Sequence, residues 1–372
     1  MGTARKRIRV LFINTYDMND VRDKYDAGTL PSHHLYGTLE LEKTYEMDVI
    51  VPRHVQFSIL NRIGSWFDIP FLDQEIRALT MLRKFDIIYA PYAASNTKLL
   101  VLLKYLGALR KPIIILVHFE LFGKPNSNWL KRFVARKLIV SYDFIIFLST
   151  RMKAALNTNY SIDVEHARRQ FALSTWGVDF TFYERYRTKH SPAERRLIVT
   201  AGNSARDFDL VVRLAKRIDF QFKIYCKPES YPSSYCGLSN NVQVLSGSFP
   251  FDEICKDHDN ARIVLIPLKS GFEGTTGLTS LLDALAIGRP VIMTTNRNID
   301  IDFQEENIGV SLDTNDEDLW VTAIASLLHD FERLREMEVN ALRLASQRFN
   351  IKQLAGDLAH AIQTVHNRSN GK

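Results

Sequence analysis

The sequence is poor in cysteine: Cys226, Cys236 and Cys255 are the only three in 372 residues. An odd number, far apart, suggests neither a disulfide framework nor a zinc knuckle, and thiols in a reducing compartment are expected. Also missing are an apolar run near the ~18 residues that span a bilayer and a charged-then-apolar secretion signal. A soluble, cytoplasmic protein is the expectation. The chain lacks G-x-x-x-x-G-K-[ST], and Gly271, Gly274 and Gly277 do not match G-x-G-x-x-G, so neither a P-loop nor a dinucleotide fingerprint is supported. No repeat of about 20–50 residues is evident.

What is present is the composition of a folded enzyme-sized chain. It is 46% hydrophobic, 24% charged and 11% aromatic, which excludes disorder as the main state, and its length allows two domains with ordinary cores. The net charge of +6 hides an asymmetry: residues 1–190 hold 28 Lys/Arg against 18 Asp/Glu, and residues 191–372 hold 20 against 24. Basic residues concentrate at Lys131-Arg132 and Arg136-Lys137 within NWLKRFVARKLIV, where Trp129, Leu130, Phe133, Val134 and Leu138 can share a helix face. That face suits either an anionic membrane surface or the core side of a solvated helix.

Short apolar runs alternate with helical patterns along the chain. Leu11-Phe12-Ile13 reads as a first strand, followed by a long polar loop, NTYDMNDVRDKYDAGTLPS, and a helix in HHLYGTLELEKTY. The alternation recurs through FDIIYA, KPIIILVH and SYDFIIFLS, pauses near residues 180–194, and restarts with RRLIVTAG, FQFKIYCK, NVQVLSG and ARIVLIPL. Such alternation means parallel sheets covered on both faces. The expectation is α/β, two Rossmann-like doubly wound domains facing each other across a cleft. Residues 1–180 form the first, 181–349 the second, and the helix of 350–372 packs back on the first.

The segment GFEGTTGLTSLLDALAIGRPVIM, Gly271 to Met293, reads as Gly-rich turn, helix and strand. Gly274 and Gly277 let backbone approach a ligand, Thr275 or Thr276 can cap the helix, and Gly288 before Pro290 ends it. A helix N-terminus favours a phosphate. Spacing alone fits a phosphate site and a tight structural turn equally.

GLTSLLDALAIGRPVI resembles the signature of GT-B glycosyltransferases, particularly the retaining nucleotide-sugar enzymes of family 4. PSHHLYGTLELEKTYEMDVIV, SYDFIIFLST, WGVDFTFY and TAGNSARDFDLVVRLA resemble further pieces of that fold in the same order. The resemblance implies transfer of a sugar from a nucleoside diphosphate donor to a carbohydrate, lipid-linked or small-molecule hydroxyl, with no cofactor, no metal and no nucleic-acid partner. Asp300-Ile301-Asp302 matches D-x-D by letters but lies past the last core strand read here.

Residue by residue, Asp283 stands where the family has a glutamate that binds the ribose, with an N-terminal acid on a helix as the bland alternative. The family's other glutamate, eight residues earlier, is here Thr275, with Glu273 the nearest acid. Arg206 aligns with a phosphate-binding Lys, or else forms a surface pair with Asp207; Gly202 opens the same loop. Lys227 and Arg289 are further candidate cations. Gly247 and Phe249 match a loop that touches the base, and Gly274 to Thr279, including Leu278, would surround the diphosphate. On the first domain, Gly28, His33, His34 and His118 match positions at the phosphates, the acceptor and the donor sugar; a lone His at a strand end is otherwise structural. If a His or an acid acted as base the enzyme would invert. A nucleotide-sugar 2-epimerase, a solute-binding protein and an inactive scaffold are the competing classes.

Overall fold

Branched apolar side chains in runs of four to six residues are buried on both faces, and they become strands. The structure is a computed structural model that describes residues 7–91, 96–119, 121, 128–164, 170–188, 190–235 and 240–371; Cys236 lies outside these. Contacts divide the chain into two units: Met1–Ala27 with His34–Thr175 and Lys352–Lys372, and Gly28–His33 with Trp176–Ile351.

In the first unit, β1 (Arg9–Ile13), β2 (Glu46–Ile50), β3 (Ile87–Ala90), β4 (Ile113–Val117), β5 (Phe144–Phe147) and β6 (Phe171–Leu173) form one sheet in the order β2-β1-β3-β4-β5-β6. Every pairing is parallel. Its core joins Leu11, Ile13, Ile88, Ile115 and Phe147 to helix residues such as Leu100 and Ile139. Residues from 352 onward, in the helix Ile351–Asn370, pack on the opposite side: Tyr45 donates to the Ala359 carbonyl at 3.3 Å and Ser174 to the Asp357 carboxylate at 2.5 Å.

The second unit contains β7 (Leu197–Ala201), β8 (Gln221–Cys226), β9 (Val242–Ser246), β10 (Ala261–Ile266), β11 (Val291–Thr294) and β12 (Gly309–Leu312), in the order β12-β11-β10-β7-β8-β9. All are parallel. Counted within the unit this is the 3-2-1-4-5-6 order of a Rossmann sheet, whose direction of winding reverses between β7 and β10. Ligands bind beyond the carboxyl ends of the strands at that reversal. The buried Trp320, whose Nε1 donates to the Thr314 carbonyl at 3.0 Å, anchors the helix Glu317–Leu328 over this sheet.

Two readings of the sequence change. The polar stretch expected as a loop contains the helix Met18–Asp26: Asp17 caps it through the Asn19 N–H, and Arg22–Asp26 and Lys24–Asp20 pair one turn apart. Only Met18 and Val21 are buried, too few for an apolar period to show. The strand β12 was also not visible, because Gly309-Val310-Ser311-Leu312 is short and half polar, and so Asp300–Asp302 lies between strands rather than after the last one.

At the start of β12, a Cβ on Gly309 would lie 1.8 Å from the Val291 carbonyl oxygen, and φ there is +153°. Backbone on the neighbouring strand cannot yield as a side chain would. Gly309→Ala is expected to destabilise the second unit by about 2–3 kcal/mol, in the range of overpacked cores, seen as a lower urea midpoint; an unchanged midpoint would refute this account of the β11–β12 contact.

Candidate functional site

The two loops that flank the reversal of the second sheet are stitched together by their backbones. Lys269 N–H donates to the Ala205 carbonyl at 2.8 Å and Asp207 N–H to the Pro267 carbonyl at 2.9 Å, closing an antiparallel bridge between Arg206 and Leu268. Side chains extend the stitch. Asn315 Nδ2 donates to both Asp207 Oδ2 (2.9 Å) and the Leu268 carbonyl (2.8 Å), while Leu268 N–H donates to Thr294 Oγ1 at 2.8 Å. The loop after β7 turns through Gly202 and through Ala205, a non-glycine residue at φ +48°. Strain of that kind is concentrated at functional sites.

The stitch carries Arg206 beneath the first turn of the helix Leu278–Ile287. Arg206 is 6% exposed; its guanidinium donates to Ser280 Oγ at 2.9 Å and to the Ser204 carbonyl at 2.7 Å, and its Nε is buried with no acceptor among the described residues. A Cβ on Gly202 would sit 2.6 Å from that Nε, so glycine there is the condition for the guanidinium's position. Burial lowers the Arg206 pKa to about 10, which leaves it charged at neutral pH. No carboxylate lies within ion-pair distance of it among the described residues.

Arg289, the other buried arginine considered from sequence, shows the contrast. It lies past the far end of the same helix and pairs with Asp259 (3.5 Å) and Glu338 (3.3 Å). Its charge is spent on the fold, and it leaves the set of candidate ligand cations. Buried charges are normally paired in this way. Arg206 is a buried cation with no acid beside it among the described residues, next to a helix start.

That helix begins at Gly277 with no side-chain cap. Its first-turn N–H groups therefore add a partial positive charge facing the same place. The turn before it is held rigid from outside: Asn296 Nδ2 donates to the Gly274 (3.1 Å) and Thr276 (2.8 Å) carbonyls, and Asn298 Nδ2 to Gly274 at 3.1 Å. Thr276 Oγ1 bonds the Glu273 carbonyl at 2.5 Å, so it braces the turn rather than capping the helix. Thr275 is buried, while Thr279 and the Glu273 side chain are exposed.

Lys227, Gly247 and Phe249 follow β8 and β9, on the same sheet edge but one and two strands from β7, about 5 and 10 Å away. Lys227 is exposed, 4.0 Å from Glu229. Phe249 meets Tyr225 edge-on at 5.2 Å, half-buried, and Gly247 N–H donates to the Cys226 carbonyl at 3.1 Å.

Asp283 turns inward. It is 8% exposed, its Oδ1 accepts from Tyr183 Oη at 2.6 Å, and His33 Nε2 lies 3.5 Å away. His33 Nδ1 accepts from the Asp179 N–H at 3.2 Å, which places the neutral ring's proton on Nε2, facing Asp283. Tyr183 stacks on the His33 ring at 6.3 Å, and Asp179 Oδ2 accepts from the Ser32 N–H at 3.0 Å. Two expectations are corrected here: His33 is buried rather than open to a ligand, and Asp283 has one carboxylate oxygen already engaged. Gly28 closes the same segment, its carbonyl accepting from Arg185 at 2.8 Å.

His34 and His118 belong to the first unit. His118, after β4, meets Tyr36 edge-on at 5.8 Å, and the Tyr16 hydroxyl donates to the His34 carbonyl at 3.4 Å. Burial pushes both imidazoles down, His118 to about 3 and His34 to about 4, so both are neutral at physiological pH. The residues missed from sequence are Ser280, Asn296, Asn298, Asn315 and Tyr183; each serves through a contact distant in the chain, and no local pattern marks it.

No protein-family model matches the chain, and no curated protein matches its sequence. Its fold is nonetheless shared with solved GT-B structures. Sucrose-phosphate synthase from Thermosynechococcus elongatus superposes with a TM-score of 0.67 at 13% identity, over 96% of this chain and 99% of that one. HepE from Anabaena, in complex with UDP and glucose, gives 0.64 at 14%, over 96% and 100%. A UDP-N-acetylglucosamine 2-epimerase, so described provisionally, from Listeria monocytogenes gives 0.58 at 14%, over 98% of each. The two units therefore have the GT-B fold.

Burial raises the Asp283 pKa from 3.8 to about 7, offset in part by the Tyr183 hydrogen bond. A carboxyl whose folded pKa exceeds its unfolded one adds stability that is fully present below about pH 4 and lost as pH rises through about 7. Asp283→Asn keeps an acceptor for Tyr183 without the charge. Its melting temperature relative to the parent is expected to climb between about pH 4 and 7 and to level off above that; a constant difference would show an ordinary carboxyl.

Proposed function

We infer that the chain is a glycosyltransferase that moves a sugar from a nucleoside diphosphate sugar to a hydroxyl acceptor, with retention and without a metal. The observation that carries this reading is Arg206, buried with no acid partner among the described residues beside the uncapped start of the helix Leu278–Ile287. Breaking the anomeric C–O bond puts negative charge on the departing diphosphate. A fixed guanidinium and helix N–H groups, already oriented, stabilise that charge with little reorganisation. The fold likeness to HepE in complex with UDP and glucose supports the donor class.

In this reading Gly274 to Thr279 surround the diphosphate, with Gly202 giving access and Lys227 as a second, exposed cation. Gly247 and Phe249 border the base, and the free oxygen of Asp283 accepts one ribose hydroxyl while Tyr183 and His33 fix the other. Glu273 and Thr275 lie at the sugar. The first unit holds the acceptor, with His118 and His34 as neutral hydrogen-bonding groups, and Gly28 belongs to the segment that Arg185 and Asp179 position. The work proceeds in the cytoplasm, in glycan, glycolipid or glycoconjugate synthesis.

A 2-epimerase would use the same donor site, and the Listeria likeness supports keeping it as the second reading. Product analysis with a bound nucleotide sugar separates transfer from epimerisation, and binding without turnover would identify an inactive scaffold. Arg206→Ala is expected to weaken UDP or GDP binding by about 1.5–3 kcal/mol, the range for bonds to charged groups, or about 10- to 150-fold in calorimetry. An unchanged affinity would put the diphosphate elsewhere.

A further inference from the structure

The first unit carries a helix that is inside out. In Ser58–Trp66 the residues turned inward are small or polar: Asn61, which exchanges hydrogen bonds with Asp73 (2.9 and 3.0 Å), and Gly64, where a Cβ would lie 2.2 Å from the Ile69 carbonyl oxygen. Apart from half-buried Leu60, its apolar residues face out. Val55, Ile59, Trp66 and Phe67 are 95, 76, 78 and 72% exposed, and Ile63 between them is exposed too. Ile59, Ile63 and Trp66 recur at helical spacing, so they form one stripe. Burial of the fold does not account for such a stripe, and apolar surface of this extent marks a contact.

The helix Trp129–Ile139 repeats the pattern. Ala135 and Ile139 face the core, whereas Trp129, Leu130, Phe133 and Val134 are exposed among Lys131, Arg132, Arg136 and Lys137. Of the face expected from sequence only Leu138 packs against the core; Trp129, Leu130, Phe133 and Val134 do not. Both helices lie in one layer: Ser58–Trp66 packs on Leu72–Thr80, that on Lys98–Tyr105, and that on Trp129–Ile139. The intervening helix adds exposed Leu102, Tyr105 and Leu106 at its outer side and end.

Charge selects the occupant. Residues 128–141 contain four Lys/Arg and no acid, and residues 53–67 contain two Arg and no acid. Aromatic side chains interleaved with charge of one sign suit an acyl boundary beneath anionic headgroups. We propose that the exposed faces of Ser58–Trp66 and Trp129–Ile139 seat the first unit on an anionic lipid bilayer. The inference stands on the first unit alone and does not depend on the donor site.

The chain supplies its own probe. Of four tryptophans, Trp176 and Trp320 are buried, whereas Trp66 and Trp129 are exposed. Adding vesicles of equal parts phosphatidylcholine and phosphatidylglycerol to the full chain should shift tryptophan emission to the blue and co-sediment the protein; pure phosphatidylcholine should bind at least tenfold more weakly. Lys131→Glu with Arg132→Glu, and separately Ile59→Ser with Ile63→Ser, should each cut binding to the anionic vesicles at least tenfold while leaving the melting temperature unchanged. UDP affinity, read on the same variants, reports the second unit separately. No blue shift or co-sedimentation with anionic vesicles would overturn the proposal. So would equal binding to neutral vesicles, or a lipid-free, concentration-dependent dimer that buries the same tryptophans.

Discussion

The second unit depends on a short backbone splice, the pair of hydrogen bonds that joins Ala205 to Lys269 and Asp207 to Pro267. Each loop alone would be an ordinary strand-to-helix connection. Joined, they fix the position of Arg206 relative to the helix Leu278–Ile287, and Asn315 locks the joint from a third loop. The splice sits at the reversal of strand order, beyond the carboxyl ends of β7 and β10, the place where sheets of this order bind ligands.

Within the second unit, buried charge is treated in two ways. Arg289 is compensated by Asp259 and Glu338, and Arg262 is fully engaged by the Pro192, Ala193 and Leu328 carbonyls. Arg206 has a hydroxyl, one carbonyl and an Nε with no acceptor among the described residues. Holding it there costs desolvation that a bound anion would repay. Asp283 is the complementary case, an acid driven towards neutrality by burial and tied to Tyr183. The two groups lie on one helix's side of the unit with opposite demands, one wanting an anion and the other a hydroxyl donor.

Much of the fold was legible because parallel strands buried on both faces must be continuous apolar runs, as at Ile113–Val117 and Ala261–Ile266. Where burial is partial the signal fails: Met18–Asp26 is helical on two buried residues, and Gly309–Leu312 is a half-polar edge strand. Gly202, Arg206 and the Gly274–Thr279 turn could be singled out from sequence as candidates because the chemistry they imply is local, a glycine opening and a helix start. Asn296 and Asn315 were not, because their work is done on residues far along the chain. Arg206 and Arg289 look alike in sequence; only their partners distinguish them. The outward stripe of Ser58–Trp66 has the period of any amphipathic helix, and periodicity does not say which side faces water.

The central claim is the proposal that a nucleoside diphosphate binds at the β7–β10 reversal. A crystal structure of the protein with UDP or GDP tests it most directly. The account predicts phosphate oxygens within hydrogen-bonding distance of the Arg206 guanidinium and the first-turn N–H groups of the helix Leu278–Ile287. A nucleotide bound elsewhere, with Arg206 still enclosed by Ser204 and Ser280 alone, would contradict it.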